Sequence, residues 1–356
     1  LDIFVITYRH CDTMIGWDPD NPYTDSTQVL WENQGDGTFV DVSERMSEHP
    51  GVNGRLRAAV WFDANLDGAM DLYTISDKSI TSACMVTNQL FVEDGGDYIE
   101  SSAAASLAII MEGMGVALGD LNGDEYPEIA MSDMSRAWLM ESDGGGGWYD
   151  ASAAKFLMTD AELTGRWSGW GTEFADFNND GRSDIFMGFG GLADVPESTM
   201  NPWAQADGLW LYGADGRYTE VAEDWGVAGA SSTRAVIATD INRDGWLYLA
   251  KREIGGDAEV WMANCGDAHW LNVTLAQNDG NPSAIGAVVA VSAEGKTYRR
   301  WLTQGASGLQ SSAPVEAHFG LGGLSSVDIT VTWPDGETST FSSVATNQFV
   351  RVVRTY

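Results

Sequence analysis

The chain has 356 residues, an ordinary apolar content of 44% and a formal charge of -33. That length buries a sizeable core and suits two domains. The acidic balance argues against nucleic acid and anionic membrane surfaces as partners, because both reward Lys and Arg.

Lysine is confined to Lys78, Lys155, Lys251 and Lys296, which together with so many carboxylates suits a salty or cation-rich setting. The longest strongly apolar run, Ala103 to Met111, is far shorter than the ~20 residues that span a bilayer, so no transmembrane segment is expected. Cys11, Cys84 and Cys265 match no zinc spacing and read as buried free thiols. Without an initiator Met or a signal-type start, the chain reads as a mature or trimmed polypeptide.

In chain order, the first predicted elements are three strands, LDIFVI, QVLWEN and TFVDVS. Then a unit repeats. AAVWF and LYTIS flank the nonapeptide DANLDGAMD at Asp63 to Asp71, and a strand pair follows in NQLFVEDGGDYIES. GVALG and IAMS flank DLNGDEYPE, with AWLMESDGGGGWYDAS after them; TEFA and IFMGF flank DFNNDGRSD, with GLWLYGADGRYTEVA after them. A last copy, DINRDGWLY, precedes EVWMAN. The leading aspartates Asp63, Asp120, Asp176 and Asp240 recur at intervals of roughly 60 residues. Each unit is therefore four strands, A to D, with an acidic turn joining A to B. Repetition at this length predicts an all-β propeller, whose radially packed sheets bury both faces. Five blades are readable, the first lacking strand A and the last ending after strand C; seven would follow if N-terminal residues are missing. LDIFVI reads as a strand B whose acidic turn is cut off just before Leu1, leaving Asp2 as its final ligand position.

Why an acidic chain gathers still more carboxylates in nine residues is answered most simply by a bound hard cation. In such a turn, positions 1, 3, 5 and 9 supply side-chain oxygens, position 7 a carbonyl, and glycine at position 6 the left-handed bend. Six to eight irregularly placed oxygens suit Ca²⁺ better than Mg²⁺. The candidate ligands are Asp63, Asn65, Asp67 and Asp71; Asp120, Asn122, Asp124 and Glu128; Asp176, Asn178, Asp180 and Asp184; and Asp240, Asn242 and Asp244, with Asp2 from the truncated turn. The first and third sets are complete. Glu125 replaces the glycine in the second, and Tyr248 occupies position 9 of the fourth, which is expected to be weakest. Calcium modules of modest affinity need an environment rich in the ion, which points to a secreted, extracellular, cell-surface or periplasmic location.

From His269 onward, LNVTL, AVVAVS, TYRRWLT, VEAHFGL, VDITVTW, STFSS and FVRVVR alternate between turn signals, the pattern of a small β-sandwich over 268–356 after a propeller over 1–267. With no Pro- or Ser-rich linker before His269, the sandwich is expected to dock on the last blade. The repeated D-x-N-x-D-G-x-x-D between apolar strands resembles the FG-GAP repeats of integrin-α-type propellers. HWLNVTL, AIGAVVAV, HFGLG and WPDG resemble an ASPIC/UnbV domain, and the combination is similar to the cartilage-acidic-protein-like family. The resemblance implies an FG-GAP (VCBS-repeat) calcium-binding propeller.

Two B–C connections are long and rich in aromatic and acidic residues, and Trp17, Tyr23 and Trp203 in them suit a protein or glycan partner on the insertion-loop face. The tryptophans in VWF, GLWLY and EVWM fall on strands and are expected in the packing between blades. His10, His49, His269 and His318 stand near no nucleophile motif, so no catalytic residue is assigned. The reading is an extracellular calcium-binding propeller serving recognition, adhesion or surface assembly. The alternatives are a propeller-type lyase or hydrolase acting on polysaccharide, and a structural subunit of a larger surface complex or filament.

Overall fold

The computed structural model describes residues 1–6, 28–47, 55–78, 87–134, 136–157, 167–192, 203–263, 266–278, 280–304 and 311–355. Trp17, Tyr23 and all three cysteines lie outside the described residues. Among those described, the chain is strand and turn, with one short 3₁₀ turn at Ser43–Arg45 and no α-helix.

Five successive antiparallel sheets form the blades. The first holds β1 (Ile3–Val5), β2 (Val29–Asn33) and β3 (Phe39–Asp41) and has no inner strand. The second holds β4 (Arg55–Phe62), β5 (Asp71–Asp77), β6 (Gln89–Asp94) and β7 (Asp97–Glu100). The third runs from β8 (Gly115–Gly119) through β9 (Glu128–Ser132) and β10 (Ala137–Ser142) to β11 (Trp148–Asp150). In the fourth, β12 (Gly169–Ala175), β13 (Asp184–Phe189), β14 (Gly208–Tyr212) and β15 (Tyr218–Glu220) pair in order. The fifth stops after β16 (Thr233–Thr239), β17 (Tyr248–Glu253) and β18 (Ala258–Trp261), as the sequence pattern predicts.

Strand runs that are apolar on both faces explain the radial packing. Val60, Phe62 and Tyr73 of the second blade share a core with Val116, Ile129 and Trp148 of the third. Leu139 packs with Ile185, Phe189 and Trp210 across the next junction, and Phe186 and Leu209 with Val236 and Leu249 across the last. The inner strands β4, β8, β12 and β16 touch from blade to blade, and two glycines permit that approach. A Cβ on Gly115 would lie 2.3 Å from the Trp170 carbonyl oxygen, and one on Gly171 would lie 2.8 Å from Val236 Cγ2.

A second small repeat closes each outer hairpin. Where strand D ends in an acid-x-Ser triplet, the hydroxyl donates to the acid (Ser43 to Asp41, Ser102 to Glu100, Ser152 to Asp150). The same hydroxyl accepts a strand C amide, from Leu30, Leu90 and Leu139 respectively. In the fourth blade Ala222 replaces the serine, and Glu220 takes the Leu209 amide directly at 3.4 Å. An orphan backbone donor next to each blade core is thereby satisfied.

Among the described residues the C-terminal sandwich has seven strands. β19 (His269–Ala276) lies between β22 (Ala317–Gly322) and a parallel β25 (Gln348–Val353). The second sheet has the order β21 (Lys296–Trp301), β20 (Val288–Ala293), β23 (Ser326–Thr332), β24 (Thr338–Ala345). Leu271, Val273, Phe319, Val289, Ile329 and Trp333 fill the space between them.

Docking differs from expectation. Rather than resting on the last blade alone, the sandwich lies across the acidic-turn side of the second to fifth blades. Gly286 approaches Met70, Arg299 bonds Asp120, Tyr298 meets Gly181 and Trp270 covers Gly245. The physical reason is charge: the acidic turns all sit on this side, and the sandwich brings Arg299 and Arg300 to them.

Another buried charge holds the opposite end of the fourth and fifth blades. Lys251, fully buried, lies 2.9 Å from both Asp207 and Glu253 and 4.7 Å from the Trp261 ring centre. Burial pushes Asp207 up to about 7 even with the lysine beside it, so the ammonium is what makes that carboxylate tolerable. Lys251→Met removes this counter-charge and leaves Asp207 dry. We expect it to lower unfolding free energy by about 3–5 kcal/mol, read as a fall in the urea midpoint.

Candidate functional site

The four acidic turns join β4 to β5, β8 to β9, β12 to β13 and β16 to β17. Three adopt one conformation. In the first, Asp63 accepts the amides of Asp67 and Gly68 at 3.1 and 2.8 Å, Asn65 accepts that of Asp67, and Asp67 that of Ala69. Asp176 repeats this with Asp180 and Gly181, and Asp240 with Asp244 and Gly245. Gly68, Gly181 and Gly245 have φ of +89°, +88° and +88°. A second left-handed residue escapes sequence reading: Leu66, Asn179 and Arg243 at position 4 have φ near +60° without being glycine. Such a backbone costs roughly 1–2 kcal/mol per residue and persists only where surrounding bonds over-determine it.

The Asp120 turn differs because Glu125 stands where the glycine would be. There Gly123 takes the left-handed position, with φ +77°, and Asp120 accepts the Gly123 amide at 2.7 Å. Its other oxygen takes the Arg299 amide of the sandwich at 2.8 Å. Asn122 donates to both Asp124 and Glu128.

Position 9 is the anchor between strands. Asp71 accepts the amides of Ala64 in its own turn and Glu93 in strand C. Asp184 accepts those of Phe177 and Tyr212 in the same places. Asp2 accepts the Asn33 amide at 2.9 Å, the equivalent bond in the first blade. Tyr248 puts a phenol where the other turns have this carboxylate, yet the fourth turn keeps its shape.

The electrostatics are those of carboxylates in need of positive charge. Burial pushes Asp71 up to about 7 and Glu128 up to about 8, and Asp63 and Asp120 also lie above the usual range for the same reason. Burial raises Asp176 and Asp184, with repulsion from Asp180 adding to the first and repulsion from Asp176 to the second. Arg300, half-buried and lowered by desolvation, is attracted to Asp176, Asp120 and Asp184.

A hard divalent cation fits this donor set. Each complete turn offers only oxygens from carboxylates and one amide. Every accepted hydrogen bond uses one lone pair of an oxygen and leaves another. Among the described residues no three carboxylate, imidazole or thiolate side chains already converge as a finished cage. In each of the turns an asparagine amide N–H instead reaches across to the position 5 carboxylate.

Trp203 sits apart from the turns. Its carbonyl accepts the Gly191 amide, and its ring lies 5.8 Å from Arg234, which stacks on Trp170 at 3.7 Å. His318, expected only as a strand residue, reaches the fourth turn, its Nε2 lying 3.1 Å from the Gly245 carbonyl. The signal for it was the HFGLG string, but a partner so remote in sequence could not be read from it.

The two kinds of glycine surroundings separate backbone strain from docking. Gly68→Ala meets no neighbour and carries only the left-handed penalty, about 1–2 kcal/mol, whereas a Cβ on Gly245 would lie 1.8 Å from the Trp270 ring. We expect Gly245→Ala to lower Tm at least about twice as far as Gly68→Ala in paired thermal melts.

The family matches agree with this architecture. The family description FG-GAP-like repeat matches residues 120–187, and ASPIC and UnbV matches residues 277–355. Human cartilage acidic protein 1 is 27% identical over 260 residues, covering 70% of this chain and 37% of the relative, so the chain spans little more than a third of that protein's length. Among solved structures, an Agrocybe aegerita lectin specific for non-reducing terminal N-acetylglucosamine aligns at TM-score 0.36 and 16% identity, over 67% of this chain and 60% of the lectin. The Dos1 propeller aligns at TM-score 0.31 and 12% identity, over 85% and 82%. The chain thus carries an FG-GAP-like repeat within its blades and an ASPIC and UnbV segment within its sandwich, and resembles human cartilage acidic protein 1 in sequence.

Proposed function

We propose that the chain is a calcium-stabilised, extracellular recognition module. The observation that carries the calcium reading is Asp71: a fully buried carboxylate with no basic partner within ion-pair distance among the described residues, facing the further charges of Asp63 and Asp67. A divalent ion held by Asp63, Asn65, Asp67 and Asp71 offsets both the desolvation and the repulsion. The matching set Asp176, Asn178, Asp180 and Asp184 supplies a second site. The Asp120 and Asp240 turns are weaker, the former because Glu125 in place of the glycine gives it a different conformation and the latter because Tyr248 replaces the position 9 carboxylate.

Recognition is assigned to the side opposite the turns. The sandwich lies over much of the acidic side, so recognition falls to the end from which the B–C connections leave, where Trp203 lies beside the buried Arg234. A protein or glycan partner there fits the aromatic content of those connections, and the likeness to cartilage acidic protein 1 supports a role outside the cytoplasm. Among the described residues no helix is long and apolar enough to cross a membrane.

Calorimetric titration with calcium after chelation tests the reading. We expect at least two ions per chain and a rise in Tm of several degrees, since one site filled to a hundred times its Kd contributes about 2.7 kcal/mol. Asp67→Ala, at an exposed position, should lower the stoichiometry by one while changing the melt in chelator little. Unchanged melting with and without calcium overturns the proposal.

A further inference from the structure

We infer that the C-terminal sandwich is a cover that occludes the Asp176 turn, so that an ion there exchanges only when the sandwich lifts, while the Asp63 turn stays open. This rests on the calcium reading above and adds to it a division of the sites into two kinetic classes.

The strand register shows how the cover is built. On β19 and β22, Trp270 stands opposite Gly320 and Asn272 opposite His318, so these four share one side of the sheet, while Leu271 and Phe319 point into the sandwich core. That shared side lies on the fourth and fifth blades. Gly320 sits on the Asp176 turn so closely that a Cβ would lie 2.1 Å from the Asp176 carboxylate and 2.3 Å from the Asn179 backbone. The Gly322 amide donates to the Asn179 carbonyl at 2.8 Å. Position by position, Asp176 is 1% exposed where Asp63 is half-buried, and Asn178 and Asp180 are half-buried where Asn65 and Asp67 are open to solvent, while the position 9 carboxylates Asp184 and Asp71 are alike fully buried.

The seam also carries unmatched polar atoms. Both amide atoms of Asn272, Oδ1 of Asn179 and Nδ1 of His318 are buried there without a hydrogen-bond partner. Buried polar atoms left in this state weaken the seam relative to the apolar cores on either side. Separation along it is therefore a local opening that leaves both domains folded. Arg300 works against this opening, since it is attracted to Asp120, Asp176 and Asp184 across the seam and loses that attraction on separation.

Stopped-flow release of calcium from the loaded full chain into a fluorescent chelator tests the idea. We expect two phases, the slow one at least tenfold slower than the fast, with Asp67→Ala removing the fast phase. Gly320→Ala, which drives a methyl group into the turn, should speed the slow phase tenfold or more and leave the fast phase alone. Trp270→Ala, which withdraws the ring from Gly245 and adds no atoms, should do the same and serves where the first variant does not fold. A single release phase overturns the cover, as does a slow phase that neither variant changes. If no calcium is bound at all, the calcium reading itself falls and the occlusion with it, a result plainly different from uniform release.

Discussion

The structure depends on buried carboxylates that hold backbone amides at the corners of its blades. Asp71 and Asp184 each tie the A–B turn to the strand C amide two strands away, and Asp2 makes the equivalent bond in the first blade. An amide accepted by a charged oxygen is a strong bond, but the charge must first be taken out of water. The carboxylates that organise the sheets are thus also their largest electrostatic burden.

Positive charge is rationed in a chain of formal charge -33, and its placement follows that burden. Lys251 serves Asp207 and Glu253 on one side of the propeller, while Arg57 lies 2.8 Å from Asp77. On the other side Arg182 pairs with Asp180, but among the described residues no arginine of the blades reaches Asp120 or Asp176 as an ion pair; Arg299 and Arg300 arrive from the sandwich. The two domains are therefore joined by electrostatic need as much as by shape. A divalent ion in the open Asp63 turn would meet the same need where no arginine reaches.

Shape completes the junction through three glycines. Gly245 accepts the Trp270 ring, Gly320 the Asp176 turn and Gly181 the Tyr298 ring, each where a Cβ would collide or crowd. In the HFGLG string, the histidine, the first glycine and the last glycine contact the blades, while Phe319 and Leu321 fill the sandwich core. One short segment therefore builds its own domain and fastens it to the other.

Sequence by itself determined the repeat, the strand runs, the five-sheet order with its missing first and last strands, and the nine-residue acidic turns, because these rest on local periodicity and on glycine and carboxylate chemistry within a few residues. It did not determine the left-handed Leu66, Asn179 and Arg243, since only glycine announces a positive φ in a sequence and these residues are held there by bonds from their neighbours. Nor did it place the sandwich. Asp120 and Arg299 are brought together only by folding, and which turn is covered and which left open was decided by the tertiary packing of charges and glycines from distant parts of the chain.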